Sequence, residues 1–355
     1  MIFADLWGWF DEHQRTAYAT GDLDRQQFSE LFSQAWSHFE TNPAQSLVLL
    51  QQVRALSERL GETCWTLFFD YWICEGYLFY MNRCQPALEL AVRNAMEARK
   101  PIHQDCPVRA RVYRVLVDVY AHCDPVGYAD QITEMVNYME AEVPLDQDTW
   151  RLLEERRARQ ALVFERWEEA YAATLRYMER SGNNDFRLAD AYMMLCEIAF
   201  QRRDFEALWE ATLAGEMHTR RENRKGGTAD FLAWKAVCQR GLGDPIQASR
   251  FYRMATAQAM PLKAKYSFYE ILTEFHLAGG EYDLALQVLD RALSEATESE
   301  SPYLETECRL DRCRVAVQTG QGLAEESDLA HTAAKRLLKP EYYLGRLEKV
   351  REGRS

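Results

Sequence analysis

"GDPIQASRFYRMATAQA", residues 243–259, is matched by "GEYDLALQVLDRALSEA", residues 280–296. Each sets a glycine before an acidic residue, then an alanine, a larger apolar residue four positions on, and a second alanine three further: Ala248, Tyr252 and Ala255 in the first, Ala285, Leu289 and Ala292 in the second. Such offsets bring all three side chains onto one helical face. Small residues at the anchor and seven on let two helix backbones approach, and the larger residue between them fills the groove.

The same pattern, usually with an apolar residue three before the anchor, recurs along most of the chain. Phe205, Leu208, Thr212 and Gly215 fit it, as do Trp167, Ala170, Thr174 and Tyr177. Cys84, Ala87 and Ala91 fit it too, with weaker echoes at Pro43, Ser46, Leu50, Val53 and at Val126, Ala129, Thr133, Val136. Successive anchors at 46, 87, 129, 170, 208, 248 and 285 stand 41, 42, 41, 38, 40 and 37 residues apart. In a further unit Leu323, Ala330 and Ala333 fit, but Glu326 occupies the anchor. A period near 40 residues built from two helix-length segments predicts an all-α solenoid, in which each hairpin buries its apolar stripe only against the next. The Gly-Asp or Gly-Glu pair before an anchor is expected to end one helix and cap another.

These residues resemble tetratricopeptide repeats, whose second helix carries Ala, an aromatic and Ala after a turn like that in "GEYDLALQVLDRAL". The first-helix signature is echoed in "ILTEF" (271–275) and "AWKAV" (233–237), and the period exceeds the family's roughly 34 residues. The longer repeat is similar to those in sensor domains of bacterial maltose-type transcriptional activators. The resemblance covers residues 40 to 335 and implies a right-handed superhelix of about eight antiparallel helix pairs. The nucleotide-binding and DNA-binding modules of those activators have no counterpart here: the chain has no Gly-rich Lys-Thr/Ser loop. The expected organisation is amino-terminal capping helices over 1–40, repeats over 41–338 and a carboxy-terminal capping helix and tail over 339–355.

Composition narrows the function classes. The chain has 355 residues, 47% of them hydrophobic, which supports a large core and excludes disorder. Against 42 Lys plus Arg stand 55 Asp plus Glu, and a net charge of −13 repels nucleic acid and anionic membranes. The apolar window Thr63–Met81 contains Asp70 and Glu75, so it reads as a helix buried in protein, and its stripe Trp65, Phe68, Phe69, Trp72 as core. Nine dispersed cysteines and an amino terminus without an export signal predict reduced thiols in a cytoplasm.

No catalytic set emerges from seven scattered histidines. His103 with Cys106 and His122 with Cys123 resemble a two-by-two zinc set, but adjacent His122 and Cys123 cannot readily face one ion, so neither metal nor cofactor is expected. "KGGT" (225–228) is expected to be a hydrated loop, and the acidic stretch 294–307 a solvated turn.

Arginines interrupt two first helices of hairpins: Arg111 and Arg114 in "CPVRARVYRVLVDVY", Arg156 and Arg157 in "TWRLLEERRARQALVF". On a concave face they could clamp an acidic segment or free carboxy terminus of a partner protein, with Trp150 and Tyr192 supplying apolar surface. Otherwise they serve helix-surface pairing, as Arg114 with Asp118 at four-residue spacing. The expected function is a non-enzymatic protein- or peptide-binding scaffold. Two alternatives stay open: a ligand-responsive sensor acting on a separate effector, and an unrecognised enzyme.

Overall fold

The computed structural model describes residues 6–39, 41–143, 147–259 and 266–353, and among these no residue lies in a strand. The parts of the expected caps at residues 1–5, 40 and 354–355 lie outside the described residues. Contacts divide the chain into two compact units, residues 1–153 with 299–301, and residues 154–298 with 302–355.

The first unit contains α1 (Leu6–Thr20), α2 (Leu23–His38), α3 (Pro43–Arg59), α4 (Thr63–Glu75), α5 (Cys84–Ala98), α6 (Arg109–Cys123), α7 (Ala129–Glu142) and the start of α8 (Gln147–Val163). A π-helical turn, Gly76–Tyr80, follows α4, and a 3₁₀ turn, Pro101–His103, precedes α6. Aromatic side chains of α1, α2 and α4 make its densest packing. Trp9 stacks on Trp65 with ring centroids 3.7 Å apart, and Phe28, Phe32, Phe68 and Phe69 are buried beside them. The aromatic stripe of α4 is thus core, as its helical spacing predicts. Its two acids are matched from neighbouring helices. Arg54 of α3 donates to Asp70 at 2.5 Å, and Arg114 of α6 pairs with Glu75 and donates to the Tyr71 hydroxyl at 2.9 Å. Among the described residues no helix is long and apolar enough to cross a membrane.

The second unit continues from α8 through α9 (Trp167–Ser181), α10 (Asp185–Gln201), α11 (Phe205–Arg221), α12 (Lys225–Gly241), α13 (Pro245–Ala259), α14 (Tyr266–Ala278), α15 (Tyr282–Glu298), α16 (Pro302–Thr319), α17 (Leu323–Ala334) and α18 (Pro340–Arg351). Helices here pack chiefly on their sequence neighbours, the arrangement of a helical repeat.

The repeat pattern coincides with burial. The anchors Ser46, Ala87, Ala129, Ala170, Leu208, Ala248 and Ala285 are all buried, and each lies in the second helix of a hairpin. Gly215 shows why the position seven on must be small: a Cβ there would overlap the Phe231 ring of α12. The weak echo in α7 has a physical cause, because Thr133 is exposed and Ile132 takes the buried place, a slip of one residue. Glu326 at the anchor of α17 is neutralised by Arg309 and Arg312 of α16, at 3.3 and 2.8 Å. At the inter-helix turns Gly243 adopts φ +82°, and Asp244 then accepts from the Gln247 amide at 3.0 Å.

Two local expectations are corrected. Lys225–Thr228 is the first turn of α12, not a loop; a Cβ on Gly227 would stand 2.8 Å from Thr219 Cγ2, so glycine permits close approach of α11 and α12. In the acidic stretch the turn occupies only 299–301. Glu305 and Glu307 belong to α16 and pair with Arg336 and Arg346, because their helical spacing carries them onto charged neighbours.

Candidate functional site

Arg111 and Arg114 lie on α6 in the first unit and act on the buried Glu75 of α4, Arg114 through a direct ion pair. Arg114 also lies 3.6 Å from Asp118, the four-residue pairing read from the sequence. Trp150 is half-buried against the core of the first unit. In the second unit, Arg157 meets Glu154 at 3.2 Å and Arg156 meets Glu155 at 4.0 Å. Tyr192 stacks on His218, with centroids 5.5 Å apart. Arg114, Arg156 and Arg157 thus all have carboxylate partners of their own unit.

A different charged surface forms within the second unit. Its helices α8, α10, α14, α16 and α18 carry charged residues among apolar ones. The Tyr342 hydroxyl of α18 donates to the Val163 carbonyl at the end of α8, 2.8 Å away across 179 residues. Glu197 (α10), Glu274 (α14), and Glu307 and Asp311 (α16) all act on the carboxyl of Glu270 (α14). Cations are interleaved. Arg346 of α18 grips Glu307 with two bonds of 2.6 and 3.0 Å. Arg314 holds Glu274 at 2.5 Å and Asp311 at 2.9 Å, and Arg159 holds Glu155 at 2.8 Å.

The balance differs along this surface. Burial alone would raise the Glu155 carboxyl, but Arg156 and Arg159 outweigh it and hold its pKa down at about 2. Burial raises Glu197, and Arg159 offsets this only in part. Glu270 is pushed well above the ordinary glutamate value by the surrounding protein, then by Glu197, Asp311, Glu307 and Glu274. Its side chain nevertheless remains exposed. Glu270 is therefore the carboxyl of this group on which like charges weigh most, while Glu155, Glu274, Glu307 and Asp311 each have an arginine partner.

A carboxyl whose folded pKa is raised contributes stability below its unfolded pKa and loses it as pH rises through the folded value. Glu270 accordingly works against the fold at neutral pH. Glu270→Gln is expected to raise the melting temperature at pH 7 and to change nothing below about pH 3, where the carboxyl is neutral in both folded and unfolded states. Thermal denaturation at the two pH values checks this, and a lowered melting temperature at pH 7 contradicts it.

Elsewhere in the first unit, Cys64 at the start of α4 meets Cys106 just before α6, with Cα atoms 5.5 Å apart, and the two are joined as a disulfide. The expectation of reduced thiols throughout thus fails at this pair; the other seven cysteines are free. The separation of 42 residues is one repeat, so equivalent turns of adjacent hairpins bring the two together. His103 packs beside them, its Nδ1 3.6 Å from Cys106 Sγ. His122 and Cys123 turn elsewhere: His122 Nδ1 lies 2.8 Å from the Asp118 carbonyl, and Cys123 Sγ contacts the Cys84 carbonyl at 3.6 Å.

The carboxylates of the second unit had the same sequence signal as the arginines, charge inside an otherwise apolar first helix. What spacing could not show was which of them converge. Compared with known proteins, the chain matches no family model and no curated protein.

Proposed function

We propose that the chain is a non-enzymatic binding scaffold, a tetratricopeptide-like right-handed solenoid of about eight helix pairs. The second unit takes a basic segment of a partner protein on its carboxylate-lined inner surface. Glu270 carries the reading: its side chain is exposed, and four other carboxylates, Glu197, Asp311, Glu307 and Glu274, act on its carboxyl. A lysine or arginine seated there relieves the repulsion that the fold tolerates, so affinity comes partly from removing a cost already present in the free protein. The interleaved Arg159, Arg314 and Arg346 fix the positions of carboxylates on their own or neighbouring helices and so set the register of an incoming segment.

Fluorescence anisotropy with a labelled lysine-rich peptide and with an acidic peptide ending in a free carboxylate tests this directly. The basic peptide is expected to bind, more weakly as salt rises, and Glu197→Gln with Glu270→Gln to lower its affinity at least about tenfold. Preference for the acidic peptide, abolished by reversing Arg111, Arg114, Arg156 and Arg157, would instead assign binding to the arginines and overturn the proposal. Binding of neither peptide also overturns it.

A further inference from the structure

Cys64, His103 and Cys106 place their three ligand atoms within 4.8 Å of one another, the one such grouping of three or more metal-ligating residues among the described residues. His103 ends the 3₁₀ turn and Cys106 follows three residues on, with His103 Nδ1 3.6 Å from Cys106 Sγ. Backbone bonds pin this segment: the Cys106 amide donates to the His103 carbonyl at 3.1 Å and the Arg109 amide to the Cys106 carbonyl at 3.0 Å. The third donor, Cys64, lies in the first turn of α4, where the helix dipole favours a thiolate. His103 and Cys106 are buried and Cys64 is half-buried. Beside them lies a cavity of about 450 Å³, lined in part by His103, Glu97 and Asn94. The Asn94 side chain is buried, and neither its amide nitrogen nor its oxygen is hydrogen-bonded.

We propose that Cys64, His103 and Cys106 form a zinc site when the two cysteines are reduced, and that the disulfide is the form that excludes the ion. Two thiolates and one imidazole suit zinc, and the cavity leaves the fourth tetrahedral position to water. The chemistry balances. A dithiol reductant delivers two electrons and two protons to the bridge, breaks the S–S bond and becomes a disulfide itself; Zn²⁺ then displaces the two thiol protons. Rotation of the two side chains separates the sulfurs around Zn–S bonds of about 2.3 Å. Metal therefore ties α4 to the segment before α6 in reducing surroundings, as the disulfide does in oxidising ones.

The test uses the full chain with Co²⁺ as a spectroscopic probe for zinc. After reduction and removal of bound metal, the chain is expected to take up about one Co²⁺, with intense sulfur-to-cobalt charge-transfer absorption, and to melt at a higher temperature with Zn²⁺ than without. Oxidised chain and the Cys64→Ser, Cys106→Ser double variant should show neither effect, and His103→Asn should weaken uptake at least about tenfold. The Cys84→Ser, Cys123→Ser double variant should behave as the parent. Far-ultraviolet circular dichroism confirms that each protein is folded. A folded, reduced parent without the absorption overturns the proposal, as does absorption that survives loss of Cys64 and Cys106 and disappears with Cys84 and Cys123.

Discussion

Ala285→Arg is expected to lower the unfolding free energy by about 4 kcal/mol, measured by urea denaturation of the full chain. Ala285 is fully buried and packs with Leu289 of its own helix and Val315 of α16, with Leu277, Tyr282 and Leu286 around them. An arginine there must push α15 away from its neighbours or bury a guanidinium among apolar groups, and both cost heavily. The damage should reach beyond one hairpin, because a repeat is stable only while its neighbours cover it. Hydrogen exchange is therefore expected to show lost protection in α14 and α16 as well as α15. Ala285→Ser, nearly the same size, should cost about 1 kcal/mol. A charged variant that unfolds at the parent's urea midpoint would mean that the anchor does not face the inter-helix groove.

Glu216→Ala should cost nearly as much, about 3 kcal/mol, because it strands a buried cation. Lys235 of α12 is buried, and its ammonium pairs with Glu216 of α11. Arg220 grips the other carboxylate oxygen with bonds of 2.8 and 2.5 Å. Without Glu216 the Lys235 ammonium keeps only the rings of Trp209 and Phe251, 5.5 and 5.7 Å away, which return a fraction of the loss. Lys235→Met should be far milder, within about 1 kcal/mol, since it fills the same space without charge and leaves Glu216 its arginine. The pH dependence follows. Burial alone would raise Glu216, but its bonds to Lys235 and Arg220 prevail and its pKa is lowered. Its stabilisation is therefore present above the unfolded glutamate pKa of about 4.3 and is lost as pH falls through the lower folded value. The stability gap between parent and Glu216→Ala should close in acid. A gap that persists unchanged at pH 2 would place the effect in packing alone.

Most of the architecture was legible along the chain because a repeat writes its contacts locally. Ala248 and Ala285 are small for one reason, the approach of two neighbouring helices, and that reason returns about every 40 residues. The deviations were legible only in part. Glu326 broke the pattern in the sequence, but its compensation by Arg309 and Arg312 depends on the way α16 lies against α17. In α7 the buried residue moved from Thr133 to Ile132, a slip that a fixed template does not follow.

What the sequence determined by itself was therefore the helical class, the hairpin period and the buried face of each second helix, since all three follow from the spacing of apolar residues within tens of positions. Only the tertiary structure decided which charges meet. Glu197 and Glu270 are 73 residues apart in number, and Cys64 stands 42 residues before Cys106. Their encounters depend on the rise and rotation between hairpins, which many small packing contacts set together and no motif spells out. For the same reason the arginines are the half of each ion pair that the sequence makes plain. A guanidinium inside an apolar helix is visible in one dimension, while its carboxylate partner exists only in three.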